Sequence, residues 1–124
     1  MRQGKFIAMG LLLFGLPGLA ACGGPDWRTQ VIAQAEGKMR SEVDDPSAAF
    51  SRVQVTGDDK TGQTCGFVTA KVGLYQTPKT GRFIVYIDQT AGPFVEAKMG
   101  HEVMDQDAFD GAWQADCVKE GYNA

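Results

Sequence analysis

Arg82-Phe83-Ile84-Val85-Tyr86-Ile87-Asp88 is the most strongly β-prone stretch of the chain, five β-branched or aromatic residues in a row between two charged ones. Side chains of that kind pack well on a pleated surface, and the stretch reads as a central strand. Upstream, Thr64 to Leu74 alternates, with Val68, Ala70 and Val72 on one face and Cys65, Phe67 and Thr69 on the other. Ser51 to Thr56 alternates too, Val53 and Val55 inward and Arg52 and Gln54 outward. The glycines and aspartates of Gly57 to Gly62 are turn chemistry between these two strands. Tyr75 to Gly81, with Pro78 and Gly81, is expected as a loop, and Ala91-Gly92-Pro93 as a turn. Phe94 to Met99 follows as a fourth strand with Glu96 and Lys98 outward.

Outside this β region the period changes. Trp27, Val31, Ala35 and Met39 fall four apart with Ile32 beside them, one apolar stripe of a helix from Asp26 to about Val43. Asp26 is placed to cap its start. Asp44-Asp45-Pro46 ends it, because proline disfavours helical geometry in the residue before it. Asp45 then caps a short turn that buries Phe50. At the other end, Asp105 or Asp107 starts a helix in which Phe109, Ala112, Trp113 and Cys117 follow at three- and four-residue steps. The order α-β-β-β-β-α, without β-α-β crossovers, predicts an α+β domain. The expected form is an antiparallel sheet of three to four strands, with the N-terminal and C-terminal helices packed on one face.

The full chain has 124 residues, room for one domain, and 44% hydrophobic residues mark it as globular rather than disordered. Its apolar residues are unevenly placed. Phe6 to Leu19 is an uncharged stretch behind Arg2 and Lys5, interrupted by Gly10, Gly15, Pro17 and Gly18. Cationic start, short apolar stretch and small residues are the layout of a secretory signal peptide, and the stretch is shorter than the roughly 20 residues of a spanning helix. Removing residues 1–21 takes away two bases and no acid, so the net charge of −3 becomes −5. That balance argues against a nucleic-acid partner, which needs a basic surface to displace counterions.

Leu19-Ala20-Ala21-Cys22 resembles the lipobox of bacterial lipoproteins at each of its four positions. The resemblance implies a diacylglycerol thioether on Cys22, cleavage after Ala21 and further acylation of the new terminus. Several acyl chains together make a lasting anchor where one holds only marginally. Residues 1–21 are then the signal peptide, 22–25 the lipidated cysteine and a short tether, and 26–124 a single small domain. Gly23 is not the aspartate that, in Gram-negative lipoproteins, resembles an inner-membrane retention signal, which points to the outer membrane, facing the periplasm. With Cys22 spent on lipid, Cys65 and Cys117 remain as one pair in an exported, oxidising compartment. A structural disulfide is expected of them. A redox or catalytic thiol is the alternative, though neither a low-pKa environment nor a Cys-x-x-Cys spacing supports it.

A second likeness rests on Asp45-Pro46-Ser47-Ala48-Ala49-Phe50, Cys65-Gly66-Phe67-Val68-Thr69-Ala70-Lys71 and Gly81-Arg82-Phe83-Ile84-Val85-Tyr86. These segments are similar to a group of small proteobacterial proteins with an Asp-Pro-x-Ser-Ala-x-Phe turn, a Cys-Gly-x-Val-Asn-Ala-Lys strand and a Phe-rich strand. Thr69 departs from the group's asparagine, and the resemblance implies no activity.

Candidate sites each have a plain structural alternative. Glu102, Asp105, Asp107 and Asp110 suggest calcium, but an EF-hand loop begun at Asp105 puts Asp110 where glycine is required. Acids at a helix start favour the macrodipole without any ion. His101, with Ser41, Ser47 or Ser51 and an acid, would be needed for hydrolysis, yet no nucleophile-elbow motif is present. Tyr75, Tyr86 and Phe94 are either a ligand groove or core pairs. No catalytic residue, cofactor or metal ligand is assigned; the loop 75–81 is the expected recognition surface.

The expectation is therefore a membrane-anchored envelope lipoprotein, a non-enzymatic binding or accessory module whose partners are the membrane, through lipid, and an envelope protein. An inhibitor or immunity-type lipoprotein and a small hydrolase are the alternatives. Palmitate labelling of the expressed protein should disappear in Cys22→Ala; label that persists overturns the lipobox assignment.

Overall fold

The stretch that begins at Arg82 is the second half of a strand that starts earlier, at Thr77. The computed structural model describes residues 26–88, 92–100 and 104–124. The expected signal peptide, Cys22, Ala91, His101 and Glu102 lie outside the described residues. The chain separates into two units, Met1–Gln30 and Val31–Ala124. Of the first, Asp26–Gln30 is described: Asp26 Oδ1 accepts the N–H of Arg28 at 3.2 Å and its carbonyl accepts that of Thr29. This opens helix α1, Trp27–Glu42, as the sequence led one to expect.

In the second unit α1 continues and is followed by β1 (Ala49–Thr56), β2 (Gln63–Val72), β3 (Thr77–Tyr86) and β4 (Phe94–Val95). A short 3-10 turn, Ala97–Met99, then helix α2, Gln106–Ala112, complete the order, and α2 widens into a π-helical segment, Trp113–Val118. The class is α+β, and the four strands form one antiparallel sheet in the order β1-β2-β3-β4. β2 and β3 pair without interruption from Gln63↔Tyr86 to Val72↔Thr77.

The layering differs from the expected one: the two helices take opposite faces of the sheet. Ala35, Met39 and Val43 of α1 and its exit pack with Val68, Ala70, Val72, Phe83 and Val85. Phe109, Trp113 and Cys117 pack with Cys65 and Ile84. Because successive side chains of a strand point to opposite sides, these two sets cannot share a face. β2 and β3 are thus buried on both sides, which is why the Phe83-to-Ile87 stretch is apolar at every position rather than at alternate ones.

Three strand limits also shift. β1 carries a bulge between Ser51 and Gln54, with Arg52 in the left-handed region at φ 52°. The extra residue lets Phe50 and Val53, three apart, both pack on the α1 side. Gly66 lies beneath them: a Cβ there would meet Val53 Cα at 3.0 Å and Phe83 Cε2 at 3.1 Å. β3 includes Thr77–Gly81, expected as loop, because each of these residues has a partner on β2. β4 is cut to two residues because Glu96, expected to point outward, turns in against Arg82 and is buried.

The C-terminal helix starts at Asp105, whose Oδ1 accepts the Ala108 N–H at 2.8 Å. Its π-helical end, with Lys119 N–H donating to the Gln114 carbonyl, keeps residues four apart closer to one face than an α turn does. Trp113 and Cys117 both reach the sheet as a result, and Trp113 meets Tyr122 and Phe67 edge-on. Cys117 is bonded to Cys65 of β2, with Cα atoms 6.1 Å apart and both residues fully buried. The bridge joins residues 52 apart in sequence, a constraint of roughly 4 kcal/mol on the unfolded chain. Intact mass without reductant should be two units below the reduced form, and the Cys65→Ala/Cys117→Ala variant should lose about that stability in denaturant titration.

Candidate functional site

The end of the β2–β3 hairpin combines exposure with a built recess. The turn is Gly73-Leu74-Tyr75-Gln76, with Gly73 at φ 77° and Gln76 at φ 53°. The Gly73 carbonyl accepts both the backbone N–H and the side-chain amide of Gln76, each at 3.1 Å. Both flanks of the turn are therefore tied down, and the two residues at its centre are presented outward. Leu74 is 88% and Tyr75 86% exposed. Large apolar side chains left in water on a stiff support are the usual mark of a contact surface.

Beside this tip lies a cleft of about 300 Å³. Val43, Val72 and Met99 border it but are themselves buried, so more than half of the surface it exposes is polar. Its walls are the ends of three elements, each turned off by a left-handed residue. Asp44, at φ 54°, ends α1: its N–H donates to the Ser41 carbonyl, and that of Asp45 reaches back to Arg40. That is a Schellman arrangement, in which the left-handed position usually falls to glycine. Gly100, at φ 84°, ends the 3-10 turn, and Gly73 with Gln76 ends the strand pair. Asp44 and Lys71 supply one charge of each sign to the lining.

Asp45, next in the chain, ties the exit of α1 to β2. Its Oδ2 accepts the Lys71 N–H at 2.9 Å, while Oδ1 accepts the backbone N–H of Ser47 at 2.9 Å and its hydroxyl at 2.6 Å. The Lys71 N–H first, then the two Ser47 bonds, hold this carboxyl below its ordinary range.

A second polar constellation centres on Arg82, beneath α2. Its guanidinium donates to Glu96 Oε1 at 2.9 Å and to Asp110 Oδ1 at 2.6 Å, and lies 5.3 Å from the ring centres of both Phe109 and Trp113. Gln106 donates to the same two carboxylates. Burial pushes the Glu96 carboxyl up, but the Arg82 side-chain and backbone bonds outweigh it and hold the group below its usual range. Asp110 is held low chiefly by Arg82, then Gln106. Every member is satisfied inside the network, so it works as a brace between β3, β4 and α2 rather than as a site awaiting a ligand. Further along, burial and then the hydrogen bond to Asp116 keep the Tyr86 hydroxyl well above the ordinary phenol range.

The other residues singled out from sequence take structural positions. Asp105 caps α2, Asp110 pairs with Arg82, and Ser47 binds Asp45. Tyr86 and Phe94 form an edge-to-face pair at 5.9 Å. Asp58 Oδ1 closes the Gly57-to-Gly62 turn by accepting from Lys60 and Thr61. Among the described residues no group of three or more His, Cys, Asp or Glu could hold a metal ion. Of the segment 75–81 only Tyr75 and Gln76 belong to the turn; the rest is strand. The cleft was not legible in advance: Val43, Asp44, Val72 and Gly100 meet only once the sheet has formed.

Acid titration should expose the Arg82 network. A carboxylate held low in the folded state contributes stability that is full above its ordinary value, 4.5 for Glu96, and is lost as pH falls through the folded value. Glu96→Gln should cost about 1–2 kcal/mol near neutral pH. Its melting temperature should also fall less steeply than that of the native chain on acidification. Parallel acid curves for the two proteins would show that Glu96 carries no such linkage.

No protein-family model matches this chain, and no curated protein or solved structure matches it.

Proposed function

We propose that this chain is a lipid-anchored envelope module that works by binding protein through the hairpin end, not by catalysis. The observation that carries the reading is the exposure of Leu74 and Tyr75 on a turn braced at both flanks. An aliphatic and an aromatic side chain presented together, on strands paired along ten residues each, make a low-entropy contact surface. The anchor comes from the lipobox-like Leu19-Ala20-Ala21-Cys22, and the oxidised Cys65–Cys117 pair suits an exported compartment. Val31 borders a small recess with Thr64 and Ile87. Those residues lie at the far end of β2 and β3 from the tip.

The recess at Val31 competes poorly as a binding site. It holds about 30 Å³ among Val31, Ala35, Thr64 and Val85, the scale of a water molecule rather than of an organic ligand.

A photo-cross-linking residue in place of Tyr75, in cells expressing the full chain, should yield a discrete adduct, and the same residue in place of the exposed Glu120 should not. No adduct at position 75, or equal adducts at both positions, overturns the reading.

A further inference from the structure

The layer between α1 and the sheet holds a polar group that the protein itself leaves unanswered. Thr64 is fully buried, and its Oγ1 is, among the described residues, the one buried side-chain oxygen or nitrogen without a hydrogen-bond partner. We infer that the recess it borders is a binding site for one ordered water molecule, held by the Thr64 hydroxyl between β2 and α1. The inference is independent of the hairpin reading above.

Three observations carry it. The first is the unanswered hydroxyl. Burying such a group with nothing to bond is costly, and in native proteins buried polar groups nearly always find a protein group or an ordered water. The other buried polar side chains of this fold are served from within. Thr56 donates to the Asp116 carbonyl at 2.9 Å, and the Gln63 amide donates to Thr56 Oγ1 at 2.7 Å. Asp45 accepts from Lys71 and Ser47, and Glu96 accepts from Arg82.

The second is direction. Val68 and Ala70 of β2 face α1 and Cys65 faces the other helix, so alternation turns Thr64 toward α1. Its cross-strand partner, Val85, belongs to the same α1-side core. The recess occupies that layer, bordered by Val31, Gln34 and Ala35 on the helix side and by Thr64 and Val85 on the strand side.

The third is size and polarity. The recess offers about 30 Å³, and roughly 10–15 Å³ of such space suffices for a water, which also needs at least two polar partners. Gln34, exposed at the edge, adds an amide that can both donate and accept. An organic ligand does not fit; a single water does, and it gives α1 and β2 a shared polar contact inside an otherwise apolar layer.

The test is oxygen-17 relaxation dispersion of water, recorded on the full chain in detergent, which counts waters held longer than the protein's tumbling time. Water oxygen, unlike its protons, does not exchange with a threonine hydroxyl, so the count is of bound molecules. The native chain should show one more long-lived water than Thr64→Val, which keeps the branched shape and removes the hydroxyl. Thr64→Ser, which keeps the hydroxyl, should match the native count. Melting curves confirm that each variant folds. Equal counts in the native chain and Thr64→Val overturn the inference, and so does a Thr64→Ser count that falls to that of Thr64→Val. A crystal of the native chain decides the point without any variant: an ordered water about 2.8 Å from Thr64 Oγ1 is expected, and a well-defined Thr64 with no such neighbour rejects the site.

Discussion

Strands β2 and β3 have apolar side chains on both of their faces, and a sheet of that kind is stable only when each face is covered. Val68, Ala70, Phe83 and Val85 require α1 on one side; Cys65, Phe67 and Ile84 require α2 and its π-helical end on the other. Neither helix can substitute for the other, because strand geometry sends alternate residues to opposite sides. The disulfide lies within the second core and ties the last helical segment to the middle of the sheet. Arg82 performs a related task without covalent bonds, holding Glu96 and Asp110 while its flat guanidinium lies near two aromatic rings.

Glu96 links this core to the exposed end of the molecule. Its carboxylate accepts the Arg82 backbone N–H, taking a bond that a longer neighbouring strand would otherwise supply. β4 therefore stops at Val95, and the chain turns into the 3-10 segment that brings Met99 against Gly81. Beyond that point β3 continues beside β2 alone. Pro78, which has no N–H to offer, blunts the uncovered edge. The hairpin projects past the rest of the sheet because β4 stops at Val95 on one side and β1 begins only opposite Thr69 on the other.

The cleft is a by-product of the same economy of lengths. α1, the hairpin and the 3-10 turn all finish at one end, and each reverses through a left-handed residue. Two of those positions are held by Asp44 and Gln76 rather than glycine, and their hydrogen bonds account for it: Asp44 closes a helix end, and Gln76 binds the Gly73 carbonyl. Such corners leave space that side chains do not fill. The space opens beside the exposed Leu74–Tyr75 pair.

How much of this was legible in the sequence depends on the range of the interactions involved. Local signals were sufficient for α1, for the Asp26 and Asp105 caps, for the centres of β1 to β3 and for pairing Cys65 with Cys117, since periodicity, capping and cysteine count act over a few residues or admit one solution. The opposite placement of the helices was already implied: Cys65 alternates with Val68, so a helix bonded to Cys65 cannot cover the Val68 face. The strand limits were not legible. Pro78 and Gly81 read as loop until ten cross-strand partners outweigh their poor strand propensity, and Glu96 reads as solvent-facing until Arg82 is seen opposite it. Backbone preference is written residue by residue along the chain, whereas the depth of a cleft, the reach of a hairpin and the partner of a buried charge depend on residues far apart in sequence, and tertiary packing alone decides them.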